Sequence, residues 1–178
     1  MGGVGGLYAG GCEDLYGAII AGLGDDEQFA LLEFGEGQQV LLTSDLTYDY
    51  GNGNNAAIYC NACICVDGKA YYALGSIESM GTAYPVSYSK GRLYAASGHS
   101  VSVYTFDMEN RQWVTTQYEE TFDENGTPFY YRITTGTLSN QNIGTRAKEA
   151  VSEADFLAVQ EEYGSAAVVS FGYGADNS

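Results

Sequence analysis

A chain of 178 residues with 45% hydrophobic and only 17% charged residues can bury a core without a metal or disulfide, and it is too apolar to be disordered. Its 23 acids against seven bases leave a net charge of −16, a surface that repels nucleic-acid phosphates and anionic membranes. No run of about 18 apolar residues exists, so membrane insertion is not expected, and no basic start with an apolar core marks a signal peptide. The acids are spread from Glu13 to Asp176 rather than packed in a strip, which argues against a mimic of DNA. The 24 glycines and 16 tyrosines against two prolines fit a turn-rich β protein.

Residues 1–11 are glycine-rich and read as a flexible tail. Ala9-Gly10-Gly11-Cys12 faintly resembles a lipoprotein cleavage site, but no basic and apolar regions precede it, so Cys12 reads as an ordinary residue. From Cys12 to Leu23, Leu15, Ile19 and Leu23 recur at helical spacing, with Glu13 and Asp14 in the first turn and Gly24 as a stop. Gln28–Phe34 and Gln39–Leu46 are expected strands, and Asp49–Asn55 an oxygen-rich loop.

A meander of short strands then runs from Ala57 to Ile133, punctuated by glycine turns. A two-residue turn closed by Val66 and Lys69 sets Ile64 opposite Tyr71 and Cys63 opposite Tyr72. A turn at Gly98-His99 sets Tyr94 opposite Val103 and Ala96 opposite Val101, a core face. Gly136–Gly144 reads as a loop. Thr145–Tyr163 is helical in composition, and Ser152-Glu153-Ala154-Asp155 resembles a capping box, which starts the helix proper at Ser152. Phe156, Val159 and Tyr163 form its buried stripe. Ala167–Phe171 is an expected last strand, and 172–178 a second flexible tail. Turns at roughly ten-residue intervals keep a propeller as an option, although no fixed repeat is present.

Ala30–Gly37 followed by Val40-Leu41-Leu42 resembles a worn form of a pattern, roughly ALIDLDGDGIPELLV, of uncharacterised extracellular modules of Gram-positive gut bacteria. Gly81-Thr82-Ala83-Tyr84-Pro85 resembles their GTAYP segment. Gly91, Leu93, Tyr94, Gly98 and His99 match a second piece, and Glu120–Gly126 a late turn. The similarity spans roughly 12–163 through short motifs. It implies a secreted or lipid-anchored protein without an established activity. The acidic loop of those modules is broken at Glu33, Gly35, Glu36 and Gly37, so calcium is not expected there.

Three constellations bear on chemistry. Cys60, Cys63 and Cys65 lie in one strand, with Cys60 on one face and the other two on the opposite face. No knuckle turn separates them, so a zinc site is disfavoured. Small buried thiols are the favoured reading, and a single disulfide from Cys12 to one meander cysteine is the next, its pairing open. His99, the only histidine, reads as an exposed turn residue, since no elbow or oxyanion motif surrounds Ser97, Ser100 and Ser102. Glu119, Glu120, Asp123 and Glu124 cluster at a hairpin end, where acids are commonly just solvated.

The fold expected is α+β: one domain over 12–171, a central antiparallel twisted β-meander with N- and C-terminal helices packed on it. A propeller-like or barrel-like closure is the alternative. Paired tyrosines such as Tyr71/Tyr72 and Tyr130/Tyr131 must point to both faces, which leaves aromatic rings free to stack on sugars or peptides. The function expected is a non-catalytic extracellular or cell-surface module that binds a glycan or protein partner. The residues expected to carry it are Tyr72, Tyr84, Tyr88, Tyr130 and Arg132. No catalytic residue, metal, cofactor or nucleic-acid partner is expected. The alternatives are a hydrolase using carboxylates near Glu119–Asp123 and a structural spacer.

Overall fold

The computed structural model describes residues 5–7, 12–35, 38–51, 53–67, 70–137 and 146–173. In chain order these begin with β1 (Gly5–Leu7), α1 (Cys12–Ala21), β2 (Gln28–Gly35) and β3 (Gln38–Ser44). A short hairpin, β4 (Thr47–Gly51) and β5 (Asn54–Ala57), leads to β6 (Tyr59–Val66) and β7 (Ala70–Glu78). The second half runs β8 (Ser87–Ser89), β9 (Arg92–Ser97), β10 (Ser100–Asp107), β11 (Gln112–Phe122), β12 (Pro128–Thr137) and β13 (Arg146–Val151). It ends with α2 (Glu153–Ser165) and β14 (Ala167–Val168).

The fold is α+β and its sheets are antiparallel, as expected, but the meander is divided. One sheet has the order β1-β7-β6-β3-β2 and the other β13-β12-β11-β10-β9-β8-β14, and neither closes into a barrel. Alternation along each strand explains how they stack. Ala30, Leu32, Val40, Leu42, Cys60, Ile64 and Ile77 of the first sheet meet Leu93, Ala95, Tyr104 and Trp113 of the second in one shared core. The intervening residues face outward to a helix on each side. Phe29, Leu41, Cys65 and Tyr71 pack under Leu15 and Tyr16 of α1. Tyr94, Ala96, Val101 and Val103 pack under Val159 of α2. The layers therefore run helix, sheet, sheet, helix. The last segment ties the two sheets together: the Val169 amide donates to Val86, Phe171 to Asn55, and Gly172 exchanges bonds with Phe29.

Short-range turn chemistry accounts for the registers that match expectation. Lys90 and Gly91 both have positive φ (31° and 81°), the pattern of a primed two-residue hairpin turn. Tyr94 lies opposite Val103, and Ala96 opposite Val101. Ser152 caps α2 through both halves of a capping box with Asp155.

Several expectations are corrected. Ile64 lies opposite Tyr72, and Cys65 opposite Tyr71. The β6–β7 connection is one residue longer than a two-residue turn, with Asp67 in the left-handed region at φ 54°, and this slip exchanges the faces of Tyr71 and Tyr72. Residues 146–151, helical in composition, pair with β12 as a strand, because the open edge of that sheet overrides propensity. Asp49–Asn55 is the tip of the β4–β5 hairpin rather than a loop. Gly5–Leu7, within the expected tail, pair with β7. The loop expected at Gly136–Gly144 begins inside β12, and the tail expected at 172–178 begins with Gly172 bonded to Phe29; the rest of that loop and residues 174–178 lie outside the described residues. Cys12 and Cys65 form a disulfide, and Cys60 and Cys63 are free and lie on opposite faces of β6. No described helix is long and apolar enough to cross a membrane.

Candidate functional site

The outer face of the second sheet carries most of the paired charge. Along β10, β11 and β12 the residues that alternate toward α2 are Val103 and Thr105, then Thr116 and Tyr118, then Tyr130 and Arg132. Above them α2 buries Phe156 and Val159. Its Asp155, Ala158 and Glu162 recur at helical spacing along one side. Between that side of the helix and the strands lies a cleft of about 280 Å³, entered by Arg92 and Arg132 from the sheet and by Asp155 and Glu162 from the helix.

Each charged group of the cleft is held in place. Arg92 bonds Glu162, and the hydroxyl of Tyr94, whose side chain is fully buried, donates to the same carboxylate at 2.6 Å. Burial pushes the Tyr94 phenol up, and the bond to Glu162 pushes it further. Burial opposes the Arg92 charge, yet Glu162 holds its pKa above the ordinary value. Arg132 donates through Nε to Glu149, directly opposite on β13, at 2.8 Å. Glu149 and then Tyr118 hold the Arg132 charge up in the same way. Asp155 is fixed by the cap, its Oδ2 accepting from the Ser152 amide at 3.2 Å. Two bases and two acids line the cleft, so its formal charges cancel within a chain of net charge −16.

Beside the cleft, Tyr130 closes the first turn of α2. Its ring lies 5.4 Å from that of Phe156. Its hydroxyl sits 3.0 Å from Glu120 and 3.1 Å from Glu153, and desolvation together with these carboxylates pushes the phenol up to about 12. Glu120 also receives His99 Nδ1 at 2.9 Å, and the histidine is exposed, as its turn position predicts.

Of the residues expected to bind a ligand, the structure brings Arg132 into the cleft and Tyr130 next to it. The other three are elsewhere. Tyr72 and Tyr88 turn inward against the shared core, Tyr72 with its ring 5.2 Å from Phe106. Tyr84 packs near Tyr94 and Val101. The tyrosines therefore do not form one aromatic face. Glu119 and Glu120 point to opposite faces of β11, Glu119 toward Lys148 and Glu120 toward His99. Asp123 accepts from the amides of Asn125 (2.8 Å) and Thr127 (2.9 Å), closing its own turn. Among the described residues, no group of three His, Cys, Asp or Glu side chains is placed to hold a metal ion.

Sequence reasoning missed Arg92, Asp155 and Glu162 as site residues. Asp155 and Glu162 were visible as acids seven apart on a capped helix. Nothing local pointed to Arg92, because its partner Glu162 is 70 residues away. No protein-family model, curated protein or solved structure matches the chain, so the site is read from its own geometry.

Proposed function

We propose that the chain is a non-catalytic extracellular or cell-surface module that binds a neutral, hydroxyl-rich glycan in the cleft beneath α2. The observation that carries this reading is the cancelled charge of the cleft, with guanidinium donors set beside carboxylate acceptors. A sugar hydroxyl donates and accepts at once, and such paired groups serve both needs. Val103, Ala158 and Val159 give the C–H face of a ring an apolar surface. A volume near the lower end of the roughly 300–1,000 Å³ of small-molecule sites suits one ring rather than a long segment. The Cys12–Cys65 disulfide supports an oxidising compartment. The resemblance of Gly81–Pro85 and Glu120–Gly126 to segments of secreted modules supports the same location.

A panel of neutral and charged glycans, followed by calorimetry on any hit, tests this. Arg132→Gln and Glu162→Gln should each weaken binding about tenfold or more, as expected for a lost hydrogen bond to a charged group. A panel with no hit from a folded protein sinks the glycan reading and leaves the protein partner and the spacer. A protein partner is the second reading. It is favoured by the exposed Phe122 and Phe129 near the end of the β11–β12 hairpin, 52% and 45% exposed.

A further inference from the structure

A second opening lies on the other face of the same sheet, beside the C-terminal half of β7, beyond its Ala70–Tyr72 stretch that pairs with β1. It is a trough of about 340 Å³. Ser76 and Glu78 of β7 form one wall, and Ser102, Tyr104 and Gln117 form the floor. Ser97 and Ser100 close one end, their hydroxyls 2.7 Å apart. Register places Ser102 opposite Gln117 and Gln117 opposite Ile133, so the floor is one continuous face of the sheet. Ala95 and Ala96 are the small apolar residues of the lining, and Met80, 74% exposed, stands at the rim.

The chemistry of this trough differs from that of the cleft under α2. Among the described residues its lining holds hydroxyls, one amide and one carboxylate, and no base. Lys148, which shares this face of the sheet, is engaged elsewhere: it pairs with Glu119 and sits 4.4 Å over the Tyr131 ring. Burial raises the Tyr104 phenol, the neighbouring Ser102 hydroxyl works against that rise, and the Glu78 carboxylate adds to it, which places Glu78 within electrostatic reach of the floor. A primary ammonium has three donors and no acceptor, and it needs oxygens on several sides with one negative charge nearby. A divalent cation needs six or more oxygens, usually with several carboxylates, and the trough has one.

We propose that this trough binds a primary ammonium group carried on a short aliphatic or sugar frame. Glu78 supplies the charge, the Ser97, Ser100 and Ser102 hydroxyls and the Gln117 carbonyl supply acceptors, and Met80 covers the carbon frame with its flexible thioether. This goes beyond the glycan reading, because it concerns another face and another chemistry. An amino sugar and a lysine side chain both present the group.

The test is an amide-resolved NMR titration of the whole chain with glucosamine and with Nα-acetyl-lysine methylamide. N-acetylglucosamine and the Nε-acetylated lysine serve as uncharged counterparts. The expected result is shifts at Ser76, Ser97 and Ser102 with at least one amine, and binding at least about tenfold weaker for its acetylated counterpart. Glu78→Gln, an exposed change that leaves the core intact, should weaken binding by the same factor. Binding of one amine alone supports the proposal and assigns the frame. Equal binding of the acetylated probes, an unchanged affinity in Glu78→Gln, or no shift with either amine overturns it.

Discussion

α1 and α2 occupy equivalent places, each on the outer face of one sheet, but different chemistry holds them. α1 is pinned covalently at its first residue by Cys12–Cys65. Its Tyr16 hydroxyl donates to the carbonyls of Gln39 (2.6 Å) and Cys63 (3.1 Å), and burial pushes that phenol far up. The opening beside α1 is lined by residues such as Ile19, Leu41, Ala73 and Gly75 and, among the described residues, carries no charged side chain. α2 has no covalent tie. Its anchors are the capping box, the bonds of Glu162 to Arg92 and Tyr94, and Tyr130 set between Glu120 and Glu153. A helix anchored by a covalent bond needs no charges at its margin. A helix anchored by charges gathers donors and acceptors there, and those left facing the cleft are available to a ligand. The first helix should therefore answer to redox conditions and the second to pH.

The largest effect should come from the disulfide. It closes a separation of 53 residues, for which chain entropy gives about 4 kcal/mol. Cys12→Ser, or reductant on the wild type, should lower the urea midpoint by an amount matching that loss, while α2 keeps its amide protection. Loss of protection in α2 at the same denaturant concentration would show that the two regions unfold as one. Burial pushes the thiols of Cys60 and Cys63 up to about 12, so neither is a thiolate near neutral pH and neither should replace Cys12 as partner of Cys65. A new disulfide in Cys12→Ser, seen by peptide mass mapping, would contradict that. The next effect is on the other side. Ser152→Ala removes the acceptor for the Asp155 amide and should cost about 1 kcal/mol. The cost should be unchanged by reductant, and a cost that vanished on reduction would mean that the anchors are coupled.

What the sequence made legible follows from how far apart the deciding residues lie. The turn at Gly98-His99 and the Ser152 cap were readable because all their partners lie within a few residues. The helix at Cys12–Ala21 was readable from Leu15 and Ile19. The division of the meander into two sheets was not, since it depends on Ile77 and Val66 meeting Leu93 and Trp113 across a shared core. Residues 146–151 misled because Ala, Lys and Glu favour helices, and only the β12 edge makes them a strand. At the site, Arg132 and Tyr130 were singled out together and lie together. Tyr72 was misplaced by the register slip at Asp67, which turned its ring toward Phe106. The pairing of Arg92 with Glu162 rests on the sheet and helix being assembled, and no local pattern encodes it.

The smallest effect is the one that separates the two anchors by pH. His99 first, and Tyr130 after it, hold the Glu120 carboxyl below its ordinary value. A carboxyl depressed in the folded state contributes stability that is present above its unfolded value, about 4.3, and is lost as pH falls through the folded value. Glu120→Gln should therefore be less stable than wild type at pH 7, and the gap should close as the pH is taken below about 4. Thermal midpoints of both proteins between pH 7 and pH 3 measure the gap. Repeating the series on Cys12→Ser decides whether the comparison holds. The gap should close over the same pH range without the disulfide, because the carboxylate bonds His99 of the β9–β10 turn and Tyr130 beside the first turn of α2, and neither touches α1. A gap that stays constant with pH would mean that Glu120 acts through packing, and that α2 is anchored by shape rather than by charge.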